Sequence, residues 1–306
     1  MSSDTGRAEG APAEHRPVRR ALFVANEKSR RGAEAADAAA AALERGGIRL
    51  VREPCADAEG LRAAIRRVAG SVDLVVLGGG DGTMNSAAPA LIETGLPLGL
   101  LPLGTANDLA RTLGIPLELE EAVRVVIEGV PRRIDLGEVN GHPFFNVASI
   151  GLSVAVTREL TGEVKRRWGR LGYALATLRA LWKMRPFRAE IQHDGEAHRV
   201  RTLQVAVGNG RFYGGGMTID ETAAIDDGQL NLYSLEFEGV WKLAMIYPAF
   251  RSGRHGLWQE VRTASFQEVE IRTRRPRPVN TDGELTTRTP ARFRVLRGAV
   301  SVLVPP

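Results

Sequence analysis

The chain has 306 residues, 43% hydrophobic and 25% charged, with a formal net charge of +5. This is ordinary globular composition, long enough for two domains with separate cores, and a mild basic excess suits a membrane surface, nucleic acid or nucleotide without choosing among them. A single cysteine, Cys55, excludes an intrachain disulfide, no Cys/His cluster has zinc spacing, and no apolar run approaches the ~20 residues that span a bilayer.

Residues 1–18 are small, polar and charged, without the apolar core of a signal peptide, and are expected to form a disordered leader. With one cysteine and no such signal, the expected location is a reducing cytoplasm. Then 21–26 (ALFVAN) predicts a strand, 33–45 an Ala-rich helix and 48–52 a second strand. Leu61, Ile65 and Val68 recur at helical spacing across 61–69. The run 73–77 (DLVVL) predicts a third strand that breaks directly into Gly78-Gly79-Gly80-Asp81-Gly82-Thr83, with a helix over 84–93. A fourth strand, 98–101, leads into Pro102-Leu103-Gly104-Thr105-Ala106-Asn107-Asp108, and helices are expected through Leu113 and over 119–127. Continuous apolar strands alternating with helices indicate a parallel sheet covered on both faces.

After Leu136 the texture changes. The segments 138–146, 189–193, 199–207, 230–235, 268–273 and 292–303 read as strands joined by turns bearing Gly and Asp, with one long helical interruption over 163–184. The expected fold is therefore an N-terminal Rossmann-like three-layer α/β domain and a C-terminal β-sandwich domain with an inserted helix. The expected boundaries are 19–136 for the first, with a strand over 294–306 as a candidate to complete it, and 137–293 for the second.

Strand, glycine-rich turn, helix is a construction that binds phosphate. Glycines let the backbone approach phosphate oxygens without Cβ clashes, and the N–H groups at the helix start favour anions. Asp81 repels a bare phosphate, so the arrangement makes sense with Mg²⁺ or a bridging water. The turn has neither the Gly-Lys-Ser/Thr of a Walker A loop nor the dinucleotide glycine pattern. A structural alternative is a tight turn with an acidic helix cap. The run 100–108 puts a second polar loop at the end of a neighbouring strand, at the sheet edge where open α/β sheets bind ligands. An Asn-Asp helix cap would explain Asp108 but not the whole run.

GGGDGT followed by LPLGTANDLAR resembles the catalytic domain of diacylglycerol kinases and their bacterial relatives, including the YegS-like lipid kinases. The runs 146–151 (NVASIG), 207–216 (VGNGRFYGGG), 224–228 (AIDDG) and 282–284 (DGE) follow in that family's order. The resemblance implies a cytoplasmic ATP-dependent lipid kinase, with catalysis between a nucleotide-binding domain and a β-rich domain. It implies that Asn26 and the turn residues Gly79, Gly80, Gly82, Thr83, Met84, Asn85 and Ser86 hold the ATP phosphates, with Asp81 acting through Mg²⁺. Thr105 would contact the nucleotide, and Asn107 and Asp108 would order the site. Glu284 matches the family's proton acceptor for the lipid hydroxyl. Asp227, with the carbonyls of Ala224 and Gln229, matches a Mg²⁺ site in the β-rich domain.

Three departures bear on ATP geometry. Ser86 stands where the family usually carries Glu, Pro54 stands in a region where it often has Thr, and the first loop lacks the common Asn-Pro pair. The segment from Lys165 to Arg188 carries basic residues with Trp and Leu at helical spacing. It suits either an interfacial helix on an anionic membrane at the inner face or a helix packed on the β domain. The expected partner is a lipid at a membrane surface; no nucleic-acid module is visible, and a homodimer is left open. Two rival functions stand beside the first: a kinase for a soluble substrate, NAD-kinase-like, which shares the GGDG element, and a catalytically weakened nucleotide- or lipid-binding regulator.

Overall fold

The computed structural model describes residues 20–25, 30–53, 55, 57–152, 154, 185–210, 212–213, 217–218, 224–236 and 261–306. Its first half alternates β1 (Arg20–Ala25), α1 (Arg30–Arg45), β2 (Arg49–Arg52), α2 (Ala58–Val68), β3 (Leu74–Gly79), α3 (Asp81–Thr94), β4 (Leu98–Pro102), α4 (Asp108–Thr112) and α5 (Leu119–Glu128). Every residue of β3 and β4 is buried, as expected of strands covered on both faces. α2 buries Leu61, Ala64, Ile65 and Val68 along one stripe, and Asp57 caps it by accepting the Gly60 N–H at 2.8 Å. β2, β1, β3 and β4 lie side by side in that order, all parallel. The chain therefore leaves β1 in opposite directions across the sheet, and the loops after β3 and β4 emerge together at the carboxyl edge.

The second half contains β5 (Val130–Val139), β6 (His142–Phe144), β7 (Val147–Gly151), β8 (Phe187–His193), β9 (Glu196–Thr202), β10 (Gln204–Gly208), β11 (Phe212–Tyr213), β12 (Met217–Thr218), β13 (Leu230–Leu235), β14 (Val261–Phe266), β15 (Glu268–Thr273), β16 (Pro278–Thr281), β17 (Glu284–Arg288) and β18 (Ala291–Val304). One antiparallel sheet runs β14-β13-β10-β7-β16-β17. Its inner face packs against β18, β15 and β8 over Ile150, Val205, Val207, Leu232, Ile271, Val279 and Phe293. The chain thus joins an N-terminal α/β domain to a C-terminal antiparallel sandwich. The helix expected over 163–184 lies outside the described residues.

β18 runs through both halves. Its residues 291–294 pair with β15, residues 293–296 and 300–304 pair with β5, and Val302 stands opposite Leu98 of β4. Two sequence expectations are corrected. The strand expected over 138–146 is a hairpin, because Asn140 and Gly141 adopt φ of 49° and 84° and form the Asn-Gly turn that such hairpins favour. The strand before that turn is the long β5, which begins at Val130. The strand expected over 199–207 breaks at Leu203 into β9 and β10, which belong to different sheets. Thr202 makes the corner: its hydroxyl donates to Leu235 O at 2.9 Å and accepts the Gln204 N–H at 3.1 Å.

Candidate active site

The turns after β3 and β4 meet backbone to backbone. A methyl group on Gly104 would overlap Gly80 Cα, and one on Gly80 would stand 3.2 Å from Gly104 Cα. Glycine at both positions is what permits the contact. Asn107 shapes the second turn. It sits at φ 52°, its Oδ1 accepts the Gly104 N–H at 3.0 Å, and its Nδ2 donates to Pro102 O and Gly104 O at 3.2 and 3.0 Å.

Asp81 is the first residue of α3, yet its carboxylate serves the neighbouring helix. Oδ2 accepts the Asp108 N–H at 3.1 Å and Oδ1 the Leu109 N–H at 3.0 Å, which caps the start of α4. Oδ1 also accepts Asn146 Nδ2 at 3.3 Å. Three of a carboxylate's roughly four acceptor positions are then filled, and the remaining one is on Oδ2. The start of α3 itself has no side-chain cap, so its first N–H groups remain suited to an anion.

The sandwich brings the Asp282-Gly283-Glu284 turn to the same place. Asp282 accepts the N–H groups of Phe145 at 2.8 Å, Val147 at 2.9 Å and Asn146 at 3.1 Å, and its own N–H donates to Val147 O at 3.0 Å. Burial pushes the Asp282 carboxyl up to about 7, against the pull of those three N–H groups, and the charge of Asp81 adds to the rise. Glu284 is exposed, and its Oε1 lies 4.0 Å from where a methyl on Gly82 would sit.

The expected nucleotide-site residues Gly79, Gly80, Gly82, Thr83, Thr105, Asn107 and Asp108 thus gather around the two touching turns, with Glu284 opposite. Met84 is buried in the α/β core, so only its backbone faces the turn. Asn85 is buried with its Oδ1 unpartnered. Ser86 donates its hydroxyl to Gly82 O at 2.8 Å, a bond along its own helix. Asn26 and Pro54 lie outside the described residues.

The Asp227 turn is built on other partners. Asp227 accepts the N–H groups of Ala224 at 3.2 Å and Gln229 at 2.8 Å, closing its own loop. Asp135 ties that loop to β18. Its carboxylate is buried in β5 and accepts the Gly228 N–H at 2.7 Å and the Gly298 N–H at 2.6 Å. Sequence reasoning passed over Asp135, although an acid between Ile134 and Leu136 is a signal of a buried, satisfied carboxylate. Asn146 and Asn209 stand in the runs that carry the resemblance, but sequence reasoning assigned neither a role. The side-chain amide of Asn209 is buried and donates to Asp135 O and Phe145 O at 2.8 and 3.0 Å.

Residues 20–139 match the model of the diacylglycerol kinase catalytic domain, and residues 146–304 match that of the YegS C-terminal NAD kinase beta sandwich-like domain. The chain belongs to the diacylglycerol kinase family. It is 31% identical over 289 residues to a Chromohalobacter salexigens protein named probable lipid kinase YegS-like, covering 92% of each chain. It is 33% identical over 282 residues to a Mycobacterium tuberculosis diacylglycerol kinase, covering 89% of this chain and 90% of the relative. The fold matches a solved diacylglycerol kinase from Bacillus anthracis, with a TM-score of 0.78 at 24% identity over 95% of this chain and 99% of that one. Membership in this family makes the chain a kinase and implies ATP as phosphoryl donor, with a divalent metal as its usual companion. Among the described residues no helix is long and apolar enough to cross a membrane.

Proposed function

We propose that this kinase transfers the γ-phosphoryl group of ATP to the hydroxyl of a lipid such as diacylglycerol or phosphatidylglycerol, which it meets from the water side of a membrane. The observation that carries the reading is the placement of Glu284 over Gly82, beside a helix start with no side-chain cap. Phosphates lie along the turn from Gly79 to Ser86, and Thr105 reaches the nucleotide from the second turn. Glu284 takes the proton of the lipid hydroxyl as its oxygen bonds to the γ-phosphorus, and the bond from that phosphorus to the β–γ bridging oxygen breaks to release ADP. A positioned carboxylate base contributes about 10²–10⁴-fold.

Mg²⁺ fits the donor set. Asp81 keeps one acceptor position, and no three His, Cys, Asp or Glu side chains converge among the described residues. A cation bound by one or two carboxylates, with water and phosphate oxygens completing its shell, is the usual Mg²⁺–nucleotide arrangement. Bound there, it would neutralise phosphate charge. Asp227, with the carbonyls of Ala224 and Gln229, is the candidate for a second Mg²⁺. It is exposed, and each of its oxygens accepts one N–H, which leaves acceptor positions free. Calorimetric titration of Mg²⁺ into the protein and into Asp227→Ala tests that second site, which falls if the two titrations are alike.

The deciding experiment incubates γ-labelled ATP, Mg²⁺ and detergent-dispersed lipids with the protein and with Glu284→Ala. Label should enter one lipid class and vanish in the variant. Label in NAD or a sugar would move the chain to the soluble-substrate branch, and ATP binding without transfer to any acceptor would leave a regulator.

A further inference from the structure

Glu284 acts from one domain on phosphates held by the other, so something must fix the separation of the two turns. We propose that Asn146 and Asp282 are positioning residues that link the Glu284 turn to the Asp81 turn across the domain boundary. The proposal rests on the reading of Glu284 as the base.

The link is a series of hydrogen bonds. Asp282 grips the chain before and at the start of β7 through the N–H groups of Phe145, Asn146 and Val147. Its own N–H returns a bond to Val147 O, so the 282–284 turn cannot slide along β7. Asp282 adopts φ 47° and Gly283 φ 97°, and the Gly283 N–H is held by Asn280 Oδ1 at 3.0 Å. A non-glycine residue at positive φ is strained, and here the bonds on either side enforce it. Asn146 then carries the link across the boundary through Nδ2 to Asp81 Oδ1 at 3.3 Å. Its carbonyl accepts the Asn209 N–H at 2.8 Å, which anchors the residue to the end of β10. Glu284 Oε1 stands 4.0 Å from where a methyl on Gly82, the residue after Asp81, would sit.

The chemistry of Asn146 suits a link rather than a filler. Only 3% of it is exposed, and its Oδ1 has no partner. Turning the amide over would aim that oxygen at the Asp81 carboxylate, so the donor is held toward Asp81. An aspartate has the same shape but would lose the donor and add a like charge. A link of this kind matters because misplacing reacting groups by about 1 Å can lower a rate about 10²-fold.

The test measures kcat, the KM for ATP and the thermal midpoint for Asn146→Asp and Asp282→Asn. Each substitution is made in the wild-type chain and in Glu284→Gln, with label transfer to the best lipid of the panel as readout. In the wild-type background each variant should lower kcat about 10–100-fold, with the KM for ATP within about threefold. In Glu284→Gln the same substitutions should lower kcat less than about threefold, because the group they position no longer works. The near-isosteric variants are expected to fold; should one not, the other decides by the same comparison. Equal losses in both backgrounds would reduce the pair to a general structural role and overturn the proposal, as would an unchanged kcat. If Glu284→Gln alone leaves kcat intact, the base reading fails first, and the positioning proposal fails with it.

Discussion

The two turns at the carboxyl edge of the parallel sheet differ in how their helices begin. α3 starts at Gly80 with no side-chain cap, whereas α4 starts with both N–H groups of Asp108 and Leu109 held by Asp81. In sequence Asp81 stands at the first position of α3, where an acid reads as that helix's own stabiliser. In space it acts on a helix that begins 27 residues later. One helix start is thereby closed and its neighbour is left without a side-chain cap. A carboxylate committed to α4 is also anchored, so its remaining acceptor position is fixed relative to the 79–82 turn.

The strongest way to break this difference is Asp81→Ala. It leaves the Asp108 and Leu109 N–H groups and Asn146 Nδ2 without their acceptor. Transfer of label should fall about 10²–10³-fold, and urea unfolding should show a loss of about 1–2 kcal/mol from the missing cap. Retained turnover would mean that closing α4 is incidental to the chemistry.

Gly80→Ser tests the open side. A serine at this position would cap α3 and compete with phosphate for the same N–H groups, and its Cβ would press on Gly104. The KM for ATP should rise about tenfold while kcat changes less, and an unchanged KM would show that phosphates do not use that helix start. Gly104→Ala probes the contact between the turns. The overlap with Gly80 Cα should cost about 1–3 kcal/mol in urea unfolding; a neutral effect would show that the two turns can separate freely.

A pH dependence sharpens the contrast between Asp81 and its neighbour Asp282. The Asp282 carboxyl titrates at about 7 in the folded chain and near 3.8 as an ordinary aspartate. Between those values the folded chain binds more protons than the unfolded one, so this group's contribution to stability falls as pH rises through the window. Compared with Asp282→Asn, the wild-type chain should lose stability between about pH 5 and pH 7.5, by at most about 1.4 kcal/mol per pH unit. Parallel stability profiles would show that the buried carboxyl titrates normally.

The same dipeptide, Asp-Gly, shows how far local reading reaches. At Asp227 the carboxylate bonds to backbone groups within three residues, so these partners are local. At Asp282 the partners are more than 130 residues earlier in the chain, and nothing near it in sequence predicts them. The glycine-rich turns were legible because their glycines, their position after apolar strands and their spacing are all local. The partners of Asn146 and Asp135 were not, since an Asn in a motif or a lone acid in a strand has many uses until its neighbours are known.

By itself the sequence determined the alternation of buried strands and helices, the two glycine turns and the order of motifs that resembles diacylglycerol kinases. These follow from hydrophobic period and backbone freedom, which act over a few residues. The tertiary structure decided that Asp81 caps α4 rather than α3, that β18 runs through both halves, and that Glu284 faces Gly82. Each of these depends on pairing between distant segments. The physical reason is that a hydrogen-bonding side chain is satisfied by whichever buried backbone group the fold brings within reach, and sequence distance does not restrict that choice.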